Sequence, residues 1–348
     1  MLDAVRPNAP MTSRRRTIII VVNLTVGIVG LWYLLRQIGS PAVELLARRP
    51  SWLLLVAVVA LMAVAVTLSA IRWRSCLPRA AAPPILRMAL FRAAAHSVEW
   101  LVPSGRLGGD PLRVYYLVTD GLGIGPAGAS VAVDRTLDMA ATSIFASLFA
   151  VALLRLGAPE LIRAMRFVWV ATFGILVGAT LAASRLRAGK SLVMPLLRAS
   201  GLAALRPVRE RLDDLQEAEA RAAGLVRERS RMALGFVLGL AVNLLVLLEI
   251  HLLLAGFGLP SGPMAVVATA FASGAAHSLP VPAGVGALEG AVTWLFVLLG
   301  HPAEVGLAAG LAMRLREVAW VLPGTVYLAC RGVRPLLRGE GVLGDNCE

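Results

Sequence analysis

Long apolar runs separated by short polar stretches make up most of the chain. Three runs contain no charged residue: Thr17 to Leu35, Ser51 to Ile71 and Phe167 to Ser184, with lengths of 19, 21 and 18 residues. A helix needs about 20 apolar residues to cross the hydrocarbon core of a bilayer. Further apolar segments with few charges lie at about 127–154, 232–257 and 302–329. The pattern therefore predicts an all-α polytopic membrane protein with about six full spans.

The composition agrees with this class and excludes a soluble globular domain, because 58% of the residues are hydrophobic and only 16% are charged. The net charge of +13 by itself is compatible with a nucleic-acid-binding protein, but the basic residues lie between the apolar runs. We therefore expect no nucleic-acid partner. The three cysteines have neither metal-site nor redox spacing. The sequence thus indicates no metal, no cofactor and no disulfide framework.

The distribution of arginine predicts the orientation in the membrane. Three arginines at 14–16 precede the first run, and the linker 185–231 carries ten Arg and one Lys against six acids. Cytoplasmic loops of membrane proteins are enriched in basic residues, so both segments are expected on the cytoplasmic side of a bacterial plasma membrane. We predict a cytoplasmic N-terminal tail at 1–16, a transmembrane domain at 17–330 and a cytoplasmic C-terminal tail at 331–348.

A pattern of the form Pro-x-Gly-x4-acid-x24-Arg-x2-acid occurs twice. The copies consist of Pro103, Gly105, Asp110, Arg135 and Asp138, and of Pro282, Gly284, Glu289, Arg314 and Glu317. Each member of the second copy follows its counterpart by 179 residues (282 − 103). A His-Ser pair, at 96–97 and again at 277–278, precedes each copy. Charges inside a membrane are costly and tend to be functional, so the repeat predicts a functional site built from two parts of the chain.

The Pro-Gly motifs lie in two segments, about 85–119 and 263–300, that must enter and leave the membrane on one side if the other spans are oriented as above. Proline removes a backbone donor and glycine permits dihedral angles that other residues avoid, so both favour a break in a helix. Such breaks occur at membrane depth where the backbone is buried in protein or lines a wet cavity. We expect two opposed re-entrant helical hairpins in an inverted repeat, spanning about 85–154 and 263–329.

Both motif arginines are expected well inside the bilayer, on the spanning helix that follows each hairpin. Asp138 and Glu317 lie three residues further on, on the same helical face, so each is a candidate partner of its arginine. A guanidinium is a planar donor fork that suits phosphate, and two of them facing one cavity would suit a phosphate-bearing substrate. A structural role, in which these ion pairs hold helices together, remains open.

The candidate substrate-binding residues are the charged side chains of these segments: Arg106, Asp110, Arg113, Arg135, Asp138, Glu289, Arg314 and Glu317. Arg106 and Arg113 are expected to attract phosphate at the cytoplasmic mouth of the cavity. Asp110 and Glu289 would orient the arginines or meet a cationic headgroup. No residue is assigned a catalytic role.

Other features are less specific. Glu249 and His251 are either a proton-coupling pair or residues at the membrane interface. The segment from Pro207 to Arg231 alternates charges with apolar residues, which fits either a helix on the cytoplasmic surface or a solvated linker. The pairs Gly174-x3-Gly178 and Gly235-x3-Gly239 indicate close packing between helices.

Four stretches resemble the transmembrane region of lysylphosphatidylglycerol synthases and of related flippase-like membrane proteins: Val102 to Leu117, Val131 to Asp138, Leu279 to Ala291 and Met313 to Gly324. The resemblance covers about 15–330 and departs from the family at Asp110, where Glu is more common. It implies a membrane region that moves aminoacylated phospholipid between leaflets, while a separate soluble domain performs aminoacyl transfer. The sequence ends at Glu348, soon after the last predicted span. We therefore expect no transferase domain and no enzymatic activity.

The expected function is that of a lipid translocase, which moves a phospholipid or a lipid-linked envelope precursor between leaflets through a central polar cavity. Two alternatives remain open. One is a membrane-embedded lipid-modifying transferase with Asp110 or Glu289 as general base, and the other is a non-transporting accessory subunit of an envelope-lipid pathway. The expected partners are the lipid itself, a lipid-synthesis enzyme encoded nearby and, in a homodimer, a second copy of the chain.

Overall fold

The computed structural model of the protein describes residues 32, 36, 39–48, 50–78, 81–101, 108–154, 156–200, 212–279 and 284–331. All regular secondary structure within these ranges is helical. The helices from residue 52 onward are α1 (Trp52–Ser75), α2 (Ile85–Leu101), α3 (Asp110–Thr119), α4 (Ile124–Leu154), α5 (Pro159–Arg187), α6 (Val193–Ala199), α7 (Leu212–Arg227), α8 (Arg229–Gly256), α9 (Pro263–Ser278), α10 (Ala287–Leu298) and α11 (Ala303–Arg331). A helical stretch at 39–48 precedes them. The all-α prediction is confirmed.

Four of the described helices, α1, α4, α5 and α8, are long and apolar enough to cross a membrane. They coincide with four of the six predicted spans, so the protein is a multi-pass membrane protein. The predicted first span, 17–35, lies almost entirely outside the described residues. The sixth predicted span corresponds to α11, which is 29 residues long but carries several charges, among them Arg314 and Glu317.

Each Pro-Gly segment forms two helices separated by a break, α2 with α3 and α9 with α10. Pro103, Gly105 and Pro282 lie outside the described residues. Gly284 is described and has a φ of +57°, a conformation that favours glycine because other residues pay a steric penalty there. The backbone therefore leaves helical geometry at the second predicted break.

Helices α1 to α4 and α8 to α11 follow the same order and make corresponding contacts. In both sets the first helix packs on the second, the second on the third, the third on the fourth and the first on the fourth. The sets also exchange equivalent contacts, because α2 packs on α11 and α9 packs on α4, while α1 and α8 pack on each other. Both third helices end at a left-handed glycine, Gly121 with φ +93° and Gly300 with φ +83°. These glycines are also 179 residues apart (300 − 121).

The sets meet closely where α2 crosses α11. A Cβ atom placed on Gly324 would overlap the carbonyl oxygen of Ala93 and the hydroxyl of Ser97, so this crossing depends on glycine. Gly235 and Gly239 likewise face α4 of the same chain, which confirms the predicted close packing. For Gly174 and Gly178 the close packing stays a prediction, because an added Cβ would meet no atom within 4 Å among the described residues.

The basic linker contains a helix that packs on the bundle. Helix α7 lies against α4 and α5, and the side chain of Glu219 accepts hydrogen bonds from the hydroxyl of Ser191, at 2.7 Å, and from the backbone N–H of Leu192 at the start of α6. The helix prediction is confirmed for 212–227, and the solvated-linker alternative is wrong for those residues.

Candidate functional site

Three arginines from three helices converge on one carboxylate in the first set. Asp134 of α4 accepts hydrogen bonds from Nε of Arg72 at 2.8 Å, from Nη1 of Arg92 at 3.0 Å and from Nη2 of Arg113. The side chains of Arg72 and Asp134 are both 0% exposed. Because an ionised carboxylate offers about four acceptor sites, one aspartate can hold α1, α2 and α3 against α4.

Asp138 lies one turn beyond Asp134 on the same face of α4, and its partner is not the predicted one. Its Oδ1 accepts from Nη1 of Arg72 at 2.7 Å, and Nη2 of Arg92 lies 4.0 Å away. The expectation that Asp138 pairs with Arg135 is therefore corrected. Residues i and i+4 of a helix stand one above the other, so the fork of Arg72 reaches both aspartates at once.

Arg113 also lies elsewhere than predicted. It is not at a cytoplasmic mouth but is buried, with its guanidinium 4.1 Å from the centroid of the Trp73 ring. It donates to Oδ1 of Asp110 at 3.1 Å as well as to Asp134. Two carboxylates and an aromatic face stabilise this cation inside the bundle. Arg106, the other residue expected at the mouth, lies outside the described residues.

Arg135 is placed between two carboxylates from different helices. Its Nε is 3.8 Å from Oδ2 of Asp110, and its Nη1 is 4.0 Å from Oε1 of Glu99. The side chain of Arg135 is 19% exposed. The His96 ring faces the other oxygen of Glu99, at 3.8 Å. This group lies beside the buried Asp134 network but remains partly accessible.

The second set has a tighter arrangement around a single arginine. Arg314 donates from Nε and Nη2 to the two oxygens of Glu289, at 2.6 and 3.0 Å, and from Nη1 to Glu317 at 2.6 Å. The predicted partnership of Arg314 with Glu317 is confirmed. Arg314 also donates to the carbonyl of Gly284 at 2.7 Å, and Glu289 accepts from the N–H of Gly286 at 2.9 Å. The helix break and the motif arginine therefore stabilise each other.

The two sets join at Glu317. Its Oε2 accepts from the indole N–H of Trp100, which belongs to α2, at 3.3 Å. Its Oε1 lies 3.2 Å from Nε2 of His277. One turn away, the hydroxyl of Ser97 donates to the carbonyl of Val321 at 2.8 Å. The end of α2 thus belongs to the polar environment of both motifs.

The family model described as "Lysylphosphatidylglycerol synthase TM region" matches residues 20–324. The chain belongs to this family. Comparison with curated proteins and with solved structures finds no match. The family, together with the four apolar helices, identifies a multi-pass membrane protein of a lipid-related family.

A further buried ion pair links α8 to α11. Arg316 donates from Nε to Oε1 of Glu249, and the indole of Trp320 donates to the same oxygen at 3.1 Å. Glu249 is fully buried. His251 contacts the carbonyl of Ser261 at 2.8 Å, so the structure gives Glu249 and His251 separate partners.

Several members of these clusters were not singled out from the sequence: Arg72, Arg92, Glu99, Trp100, Asp134 and Arg316. Arg72 directly follows a charge-free run of 21 residues, and Asp134 is adjacent to a motif arginine. A rule that every charge within or beside an apolar run must have a partner would have flagged both. It would not have named the partners, because these lie on other helices.

Proposed function

We propose that the protein translocates a lipid with a phosphate-bearing headgroup between the two leaflets of a bacterial plasma membrane. One observation supports the proposal: both helix sets carry a cluster of charged side chains with a partly accessible arginine, and Glu317 of the second cluster accepts a hydrogen bond from Trp100 of the first set. Arg135 is 19% exposed and Arg314 is 16% exposed, although both lie on helices of a membrane bundle. A polar headgroup pays a large desolvation cost in hydrocarbon, and such clusters lower it while the acyl chains stay in lipid.

The proposal includes two re-entrant hairpins in an inverted repeat. The ion pair between Arg87 at the start of α2 and Asp120 at the end of α3, at 3.2 Å, supports a hairpin whose two open ends lie together. Arg331 at the end of α11 contacts the same carboxylate at 2.6 Å. Helix α11 therefore ends beside the point where α4 begins, which supports opposite crossing directions for these corresponding helices.

Arg135 is the proposed first contact for the phosphate. Its two carboxylates lie at 3.8 and 4.0 Å, whereas Arg314 holds its carboxylates at 2.6 to 3.0 Å with good hydrogen-bond geometry. A phosphate displaces long ion pairs more readily than short, bidentate ones. We therefore assign Arg135 to the substrate and Arg314 to the support of the second hairpin.

The same geometry disfavours the transferase alternative. A general base must bind a proton readily, but Glu289 accepts two hydrogen bonds from Arg314 and one from the Gly286 amide. Both oxygens of Glu289 are therefore held by donors of the protein itself and are not positioned to take a proton from a substrate. Asp110 is likewise engaged by Arg113. We propose a transporter and not an enzyme, with a lipid-synthesis enzyme as the source of its substrate.

The test is transport by the purified protein in liposomes that contain a fluorescent phosphatidylglycerol, with an impermeant reagent that bleaches only the outer leaflet. Arg135→Lys keeps the charge but loses the planar fork, so we expect the translocation rate to fall about tenfold. The control is Arg163→Lys, which changes an exposed arginine of α5 and is expected to leave the rate unchanged.

Two results would contradict the proposal in different ways. A wild-type protein that leaves the probe in its original leaflet, while eluting as a folded species in gel filtration, excludes translocation of this lipid class and favours the accessory role. A wild-type rate in Arg135→Lys excludes the phosphate-binding role of Arg135 and leaves translocation standing.

A further inference from the structure

An open groove of about 470 Å³ lies on the side of the bundle where α2 begins and α11 ends. Its lining consists of Pro84, Leu86, Arg87, Leu90, Tyr327 and Arg331. The volume is within the roughly 300 to 1,000 Å³ typical of small-molecule sites. None of these residues belongs to the repeated motif, and none contacts the carboxylates around Arg135 or Arg314. The groove is therefore a separate feature of the fold.

The groove carries a net positive charge. Arg87 and Arg331 share a single carboxylate, that of Asp120, at 3.2 and 2.6 Å, so two cations face one anion. The Arg87 side chain is 53% exposed, and one of its five N–H donors is used in that contact. The remaining donors of Arg87 can reach a ligand in the groove.

Arg331 is held in place by an aromatic shelf. Its guanidinium lies 5.0 Å from the centroid of the Phe91 ring and 5.3 Å from that of Tyr116. Its Nη1 donates to the hydroxyl of Tyr327 at 2.6 Å. A fixed guanidinium loses little conformational freedom when a ligand binds, so this end of the groove is preorganised for an anion.

Two further parts of the groove suit a phospholipid. An apolar wall suits an acyl chain, and the start of α2 suits a phosphate. Leu86 and Leu90 are one helical turn apart on α2, and Leu86 is largely exposed. The first intrahelical bond of α2 runs from the N–H of Met88 to the carbonyl of Pro84. The preceding first-turn amides have no intrahelical acceptor and favour negative charge nearby. The helix start thus adds to the field of the two arginines.

We propose that this groove binds the headgroup of an anionic phospholipid, with the phosphate against Arg87 and Arg331 and an acyl chain along Leu86 and Leu90. Basic residues C-terminal to Arg331 place this end of the bundle at the cytoplasmic face by the positive-inside rule. Basic pockets between helices on that face bind anionic headgroups. As an entry site for transport the groove rests on the proposed function, whereas lipid binding itself does not.

The test is native mass spectrometry of the purified protein titrated with phosphatidylglycerol or with zwitterionic phosphatidylcholine. We expect tight binding of one phosphatidylglycerol, reduced about tenfold in the double variant Arg87→Gln with Arg331→Gln. The control is Arg221→Gln, which alters a surface arginine of α7 in an exposed ion pair and is expected to bind as the wild type does.

A second variant leaves the Asp120 pairs intact. Leu90→Trp fills the groove and is expected to reduce phosphatidylglycerol binding, whereas Leu181→Trp on the exposed face of α5 is expected to have no effect. Wild-type affinity in both the double variant and Leu90→Trp overturns the proposal. Full competition by inorganic phosphate at equal concentration also overturns it, because it makes the groove a site for free phosphate and not for lipid.

The outcomes separate this inference from the translocase proposal. If the wild-type protein binds phosphatidylglycerol in the groove but moves no lipid, the lipid site is supported and the translocase proposal is excluded. If the double variant no longer binds the lipid but translocates it normally, the translocase proposal stands and the groove is excluded as the entry site.

Discussion

The two copies of the motif produce opposite kinds of charge cluster. In the first set an anion is at the centre, because Asp134 is surrounded by Arg72, Arg92 and Arg113. In the second set a cation is at the centre, because Arg314 is surrounded by Glu289 and Glu317. The residue that corresponds to Asp134 in the second copy is Met313 (134 + 179). Each motif arginine, Arg135 and Arg314, lies near two carboxylates, so the added acid goes together with a further cluster of three arginines around Asp134.

A second difference lies between the helix pairs α1 with α4 and α8 with α11, which occupy corresponding places. The first pair is linked by Arg72 on α1 and Asp138 on α4. The second is linked by Glu249 on α8 and Arg316 on α11, with the charges exchanged between the helices. Both arrangements satisfy buried charges, because Coulomb attraction depends on the pair and not on which helix supplies the cation. The sets therefore share packing contacts more closely than they share individual bonds.

The largest expected effect comes from removing the central anion. Asp134→Asn leaves three arginines without their common charged partner, and an uncompensated buried charge costs about 3 to 5 kcal/mol. We expect loss of folded protein, measured as the free energy of unfolding in mixed micelles with rising SDS. Asp213→Asn on the exposed side of α7 is the control. Equal stability of the two variants would show that Asp134 does not organise the first set.

A smaller effect is expected at the exchanged pair, and it depends on whether one or both partners are removed. Arg316→Leu strands the buried carboxylate of Glu249 and is expected to lower the free energy of unfolding by about 3 kcal/mol. The double variant Arg316→Leu with Glu249→Leu removes both charges and is expected to recover most of that loss, because well-packed apolar residues often replace buried ion pairs without cost. The same SDS titration measures both.

A double variant no more stable than Arg316→Leu alone would contradict the account of Glu249 and Arg316 as an isolated structural pair. That result would mean that Glu249 or Arg316 makes further stabilising interactions within the bundle. Lipid translocation by the folded double variant then shows whether the pair contributes to transport, for which the expected answer is an unchanged rate.

The smallest expected effect compares the two serines of the repeated His-Ser pairs. Ser97 is buried and donates to Val321 across the α2–α11 crossing, whereas the exposed Ser278 donates within its own helix, to Gly274. Ser97→Ala is expected to cost about 1 kcal/mol, the usual net value of one hydrogen bond. Ser278→Ala serves as the matched control and is expected to have no measurable effect. Equal losses in both variants would show that the crossing does not depend on this bond.

Local chemistry in the sequence was sufficient for much of the architecture. Apolar runs of sufficient length with few or no charges specify spanning helices, and α1, α4, α5 and α8 appear where such runs predict them. The pairing of Arg314 with Glu317 was predictable because residues three apart share one face of a helix. The break at Gly284 was predictable because glycine alone tolerates its backbone angles without strain.

The partners of the other charges were decided by tertiary structure alone. Asp134 binds arginines that lie 62, 42 and 21 residues away in the chain, on three other helices. The spacing of residues within a helix does not determine how that helix is rotated towards its neighbours. Asp138 was available to Arg135 on its own helix, yet it accepts a hydrogen bond of 2.7 Å from Arg72 of α1. A buried charge takes the partner that packing brings nearest, and packing is a property of the whole bundle.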